Sequence, residues 1–350
     1  MQKAFTGTNG LNNGTMKFFR FLTVALSLTA ILCASSSSEA HDKQQEKKTP
    51  IQVAVDRVNV GVVVTGRDGQ FVDGLRREDF LVFDNGMEQP ISGFIAIEEP
   101  GQVLLLIEAG PAVYLLESGH VWAANALLDG LAADDRVAVV KYADSPATLL
   151  DFTADKRAVD AAFGQLRFNL GFGSLNLSSS VSKVLEWLAN VTGKKTIVLL
   201  STGLDTSPSK EAALLMQQLK VSDVRLLAVS LAGGFQNTPS GSKKKSSTKD
   251  PGQTAQQFEQ AGLLLRWMAE STGGRAYFPA NAKEFDSAYA EIARLIRHEY
   301  SLAFAPPVHD GQIHSVEIRV KAPQTPESNK QAAGYRVDHR QAYLAPPPRQ

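Results

Sequence analysis

The stretch that most constrains this chain is Val103–Glu108, Val-Leu-Leu-Leu-Ile-Glu, an unbroken apolar run that ends in a carboxylate. Side chains of a strand point alternately to its two faces, so a strand apolar at every position has no face for water. That fits the centre of a parallel sheet covered by helices on both sides. The run leads into Ala109-Gly110-Pro111, a turn. Open α/β sheets bind ligands in the crevice at the carboxyl ends of their strands. The functional question therefore turns on what Glu108 and its neighbours hold.

The sequence around this strand alternates as a parallel sheet requires. Strands are expected at Arg136–Tyr142, Thr148–Phe152, Lys195–Leu200, Val224–Ser230 and Arg275–Phe278. Between them, apolar residues at helical spacing mark Val113–Leu131, Lys156–Leu166, Leu177–Val191, Ser209–Leu219, Thr254–Glu270 and a last helix to about His298. Residues 101–299 thus read as a doubly wound, mostly parallel α/β domain. The flanks are different. Residues 51–99 alternate with period two and carry Asp84-Asn85-Gly86, a tight hairpin signal, with Gln89–Ile97 as the returning strand. Gly61 within the first strand marks a bulge or a close approach. Residues 300–340 are again β, and 341–350, with Pro346-Pro347-Pro348, read as a Pro-rich tail. Each flank is small, so the two are expected to form one accessory β module.

Residues 1–40 read as a signal peptide. Lys17 and Arg20 precede the apolar stretch Phe21–Leu32, and Ser38-Glu39-Ala40 offers small residues around a cleavage site. Residues 41–50 form a polar linker. The apolar stretch is shorter than the roughly 20 residues of a membrane-spanning helix, so no transmembrane segment is expected after cleavage. The single cysteine, Cys33, lies in this leader, and Leu32 before it argues against lipidation. The expectation is an exported chain, in the periplasm, on the surface or secreted, without disulfides. Its 36 basic and 36 acidic residues cancel, which disfavours a nucleic-acid partner. The Lys243-Lys244-Lys245 loop reads as a solvated charge run.

Three blocks resemble the von Willebrand factor A-related domain proteins of acidobacterial type. They are Val60–Phe94, with Val64-Thr65-Gly66-Arg67-Asp68-Gly69 and Phe83-Asp84-Asn85-Gly86; the α/β centre; and Ile296–Pro306, with Gly334-Tyr335 beyond it. The resemblance implies an A-type domain, a Rossmann-like sheet whose strand tips often hold a divalent cation through Asp-x-Ser-x-Ser, a later Thr and a later Asp. Hard cations require a near-octahedral oxygen set. Here Glu108 stands for the first Asp, Gly110 and Ala112 for the two serines, Ser174 for the Thr and Thr202 for the later Asp, with Asp205 three residues beyond. Two hydroxyls and one carboxylate of the pattern are gone, so no cofactor is expected and Mg²⁺ or Mn²⁺ is disfavoured. The alternative roles are ordinary ones: Glu108 capping a helix or pairing with a cation, Ser174 in a cap or turn, Asp205 fixing the turn before Pro208.

No other chemistry has a starting point. There is no Gly-x-Ser-x-Gly elbow and no His-Glu-x-x-His pair, and Gly193-Lys194-Lys195-Thr196 lacks the upstream glycine of a phosphate loop. Asp134-Asp135, Asp155 and Glu291 read as caps or solvated faces. The expectation is a non-enzymatic module that binds another protein for adhesion or assembly, with a degenerate cation site. A small-ligand binder or enzyme using the same crevice, or a scaffold, stays open.

Overall fold

The computed structural model describes residues 57–96, 100–110, 126–166, 173–232, 251–321 and 335–348, all within one compact unit, Ala54–Gln350. The leader, the linker, the first half of the helix expected at Val113–Leu131, Ala112 and the lysine loop lie outside the described residues.

In chain order the strands are β1 Val58–Thr65, β2 Phe80–Asp84, β3 Met87–Gln89, β4 Ile91–Ile95, β5 Gly101–Glu108, β6 Arg136–Tyr142 and β7 Pro146–Thr153. There follow β8 Lys194–Ser201, β9 Val224–Ser230, β10 Ala276–Tyr277, β11 Tyr300–Phe304, β12 Ile313–Val320, β13 Arg336–Asp338 and β14 Ala342–Leu344. The helices are α1 Lys156–Phe163, α2 Leu177–Leu188, α3 Ser209–Val221, α4 Pro251–Ser271 and α5 Ala282–Arg297, and residues 126–130 are also helical.

The central sheet has the order β10-β9-β8-β5-β6-β7. Counted along this domain that is 6-5-4-1-2-3, the doubly wound order, whose switch point falls between β5 and β8. All pairs are parallel except β6 with β7. Leu105 of β5 lies level with Val139 of β6 and Val198 of β8. The two faces of β5 feed two separate cores. Val103, Leu105 and Ile107 pack with Leu127, Val159, Phe163, Tyr289 and Ile292, so α1 and α5 cover one side. Leu104 and Leu106 pack with Leu177, Val181, Leu215, Leu265 and Met268, so α2, α3 and α4 cover the other. Side chains 103–107 are at most 5% exposed. At roughly 1.5–3 kcal/mol per buried aliphatic side chain, this strand anchors the domain.

The flanks form one β-sandwich, with sheets β13-β1-β11-β4 and β14-β12-β2-β3. Each sheet mixes strands from both ends of the chain: Val60 pairs with Leu302, and Val82 with Ile318. Its core joins Val60, Val62, Val64, Phe80, Val82, Leu302, Phe304, Ile318 and Tyr343. Asn85 and Gly86 have φ of 47° and 80°, the left-handed pair the hairpin requires.

Four expectations are corrected. The single return strand Gln89–Ile97 is two strands, because Pro90 has no N–H for the ladder: β3 stays with β2, while β4 crosses to pair with β11. The strand at Thr148–Phe152 is longer and antiparallel. Residues 341–350, read as a Pro-rich tail, include a strand, since Ala342–Leu344 pairs with β12 and Tyr343 is buried. Glu291 is not simply solvated, because it accepts from Arg275 (3.0 Å) and the Tyr277 hydroxyl (3.2 Å).

A buried ion pair joins sandwich to α/β domain. Arg225 of β9 donates to Glu299 through Nε (3.2 Å) and Nη2 (2.9 Å), and both side chains are nearly inaccessible. Gly61 of β1 lies against it; a Cβ there would sit 1.8 Å from Glu299 Oε1. Of the two roles expected for Gly61, the close approach is the one observed, since its register with Ser301 is unbroken.

Candidate functional site

Glu108 ends β5, Ser201 ends the neighbouring β8 and Thr202 follows it, so the three meet at the switch point. Adjacent strands lie about 4.8 Å apart. The extra methylene of Glu relative to Asp spans this gap rather than crowding the site. Glu108 is fully buried and accepts from the Thr202 N–H (2.7 Å), the Thr202 hydroxyl (3.0 and 2.9 Å to its two oxygens) and the Ser201 hydroxyl (3.0 Å). Tyr142, ending β6 on the other side, donates to Ser201 Oγ (2.7 Å) and lies 3.2 Å from the carboxylate. Ser201 Oγ accepts in turn from the Gly203 N–H (2.8 Å). Each hydroxyl has its acceptor, and both carboxylate oxygens are occupied.

The electrostatics follow from this enclosure. Burial raises the Glu108 pKa above its ordinary 4.5, against the hydrogen bonds from Thr202, Ser201 and Tyr142, which favour the charged form. Tyr142 is pushed well above the usual phenol range by burial and then by the charge of Glu108. The oriented neutral dipoles thus offset part of the cost of burying the carboxylate. Among the described residues Glu108 caps no helix and meets no cationic side chain.

Among the described residues the donor set does not fit a hard cation. A Cβ on Gly110 would lie 2.7 Å from Leu175 Cδ2 and 3.4 Å from Glu108 Oε1, so Leu175 fills the volume that a serine side chain at 110 would need. The Thr202 hydroxyl is turned to Glu108, to which it donates. Among the described residues no group of three or more His, Cys, Asp or Glu converges to hold an ion.

The other residues singled out from the sequence separate. Glu108, Gly110 and Thr202 come together. Asp205 turns to α2, accepting from the Ser178 N–H (3.3 Å), the Ser178 hydroxyl (2.5 Å) and the Ser207 N–H (2.9 Å), so it caps α2 from another segment and fixes the turn before Pro208. Ser174 is exposed on the rim just before α2. Ala112 lies outside the described residues. Asp155 is a cap, accepting from Arg157 and Ala158 N–H, whereas Asp135 ties the start of β5 to the loop before β6, accepting from Gly101 N–H (2.7 Å) and Ala132 N–H (2.8 Å). Sequence reading missed Tyr142, Ser201, Leu175 and Ser178. The only available signal was the Ser201-Thr202 hydroxyl pair directly after a buried strand.

The rim above Glu108 is tied together by main chain. Thr206 N–H donates to Leu175 O (2.7 Å), Asn176 N–H to Ala143 O (2.8 Å), and the Asn176 amide to Asp144. The segments after β6, before α2 and after β8 therefore form one surface, with Ser145, Ser174 and Pro208 exposed.

No family model and no curated protein matches the chain. Among solved structures it is similar to a von Willebrand factor type A protein from Catenulispora acidiphila, at 10% identity over 84% of this chain and 75% of that one, with a TM-score of 0.41. It is also similar to the manganese-loaded TRAP protein of Plasmodium vivax, at 13% identity over 77% of this chain and 100% of that one, TM-score 0.40. A third is an aerotolerance-related membrane protein from Bacteroides fragilis, at 14% identity over 56% of this chain and 98% of that one, TM-score 0.38. The first is of the domain type the sequence resembles. These likenesses are loose, and the α/β fold class rests on the strand order described above.

Proposed function

We propose that this chain is an exported, non-enzymatic protein-binding module whose recognition surface is the rim at the carboxyl ends of the central sheet, and that it binds without a cation. The observation that carries this is the closure of Glu108: a carboxylate at the switch point whose oxygens are taken by Thr202 and Ser201, beneath a rim closed by Leu175. An acid or base must reach its substrate's proton, and this carboxylate is fully buried. What remains for a partner is the exposed rim. No helix among the described residues is long and apolar enough to cross a membrane, which is compatible with export.

The test is capture of a partner from envelope and secreted fractions of the source cells by the wild-type chain, by Ser145→Arg with Ser174→Arg, and by Ile313→Arg on the sandwich as control. A protein captured by wild type and the control, with and without chelator, but lost with the rim substitutions is the expected result. Capture that is indifferent to the rim, or abolished by chelator, would overturn the proposal.

A further inference from the structure

In the sandwich, far from the rim in sequence and unused by the proposed function, one histidine is placed between two carboxylates. His314 of β12 is 5% exposed. Its Nδ1 is 2.9 Å from Oδ1 of Asp84, at the end of β2, and its Nε2 is 3.2 Å from Oδ2 of Asp310, in the loop before β12. Tyr343 of β14, level with His314 in the register, stacks edge-on against the ring, with its hydroxyl 3.4 Å from Nδ1.

A neutral imidazole has one N–H, and both its partners here are acceptors. Both hydrogen bonds therefore exist together only in the imidazolium. We propose that His314 is a proton-operated latch on the C-terminal strand: protonated, it clasps Asp84 and Asp310 together; neutral, it releases one of them. Which one follows from exposure. The Asp84 side chain is 1% exposed and has nowhere to go, whereas that of Asp310 is 37% exposed and can turn to water. Deprotonation thus keeps the Nδ1–H on Asp84 and frees Asp310.

The loop that Asp310 anchors is what holds the chain end. Asp310 accepts from Gln312 N–H (2.8 Å), Ala345 N–H donates to Gln312 O (2.9 Å), and Gly311 N–H donates to Pro346 O (3.1 Å). Freeing Asp310 loosens these contacts and with them the end of β14, the edge strand of its sheet. The ionisable groups acting on the ring are Asp84, Asp310 and Tyr343, with Arg340 acting on Tyr343 and His309 adjoining Asp310 in the loop; Glu317 and Arg319 of β12 are exposed and pair with each other. Burial disfavours a charged His314, but the hydrogen bonds and charges of Asp310 and Asp84 outweigh it, and its pKa is raised above the ordinary 6.5.

The sign is fixed by linkage. A histidine whose pKa is raised by folding contributes its full stabilisation below 6.5, and that contribution is lost as pH rises through the folded value. The experiment is an NMR titration of the full chain, reading the His314 ring nitrogens and hydrogen exchange at Ala345 and Gly311. His314 is expected to titrate above 6.5. Protection of both amides, corrected for intrinsic exchange, is expected to fall through that titration by up to about tenfold per pH unit. Asp310→Asn is expected to lower the His314 pKa and flatten the protection profile. A His314 that titrates at or below the ordinary value, or protection that stays level across its titration in the wild-type chain, would overturn the proposal whether or not the variant folds.

Discussion

Replacing Thr202 by valine removes one oxygen and keeps the shape, which makes it the cleanest perturbation of the closed carboxylate. The lost hydroxyl donates to Glu108 at 2.9–3.0 Å and accepts a long bond from Leu204 N–H (3.3 Å). A hydrogen bond to a charged group is worth about 1.5–3 kcal/mol, and the bond to Leu204 adds little. For a unit of this size roughly 2 °C of midpoint accompanies each kcal/mol, so Thr202→Val is expected to unfold about 3–6 °C below wild type. Thermal unfolding followed by circular dichroism measures this. Ser174→Ala, on the exposed rim, serves as a control that should stay within about 0.5 kcal/mol of wild type. A Thr202→Val midpoint indistinguishable from that control would mean that the hydroxyls do not hold the carboxylate.

Three further outcomes are expected. Because burial raises the Glu108 pKa, the folded state binds its proton more readily than the unfolded chain; wild-type stability relative to Glu108→Gln should therefore rise as pH falls through the folded value toward 4.5, and a flat difference in urea unfolding between pH 8 and pH 4.5 would refute it. Glu299→Ala leaves Arg225 buried without its carboxylate and is expected to cost about 3–5 kcal/mol in denaturant unfolding, far more than Arg319→Ala at the exposed pair with Glu317. Removing residues 300–350 takes β11 and β12 from β1 and β2, so limited proteolysis should then cut within 58–95; unchanged resistance would show that the N-terminal strands stand alone.

The central strand was readable because a run apolar on both faces has one common home, and Val103–Ile107 occupy it. The β flanks were readable as strands but not as a particular sandwich. Which strand pairs with which is decided by contacts some 240 residues apart, such as Val60 with Leu302, and by Pro90 diverting the chain from one sheet to the other. At the site, sequence placed Glu108 at a strand tip yet misjudged its surroundings. A carboxylate's solvation depends on what the neighbouring strands end in, and Tyr142 and Ser201 reach it only through the register of β6 and β8. Asp205 was read as a turn residue, which it is, but its larger partner, the start of α2, lies 27 residues away in the chain. His314 was passed over because no local spacing links it to Asp84, 230 residues before it.

The claim on which the rest depends is that neutral donors have taken the place of an ion around Glu108. Mn²⁺ titration of the full chain, followed by electron paramagnetic resonance of the free ion and by calorimetry, tests it most directly. We expect no binding tighter than millimolar and no change on Glu108→Gln; a micromolar site that vanishes in Glu108→Gln would contradict it.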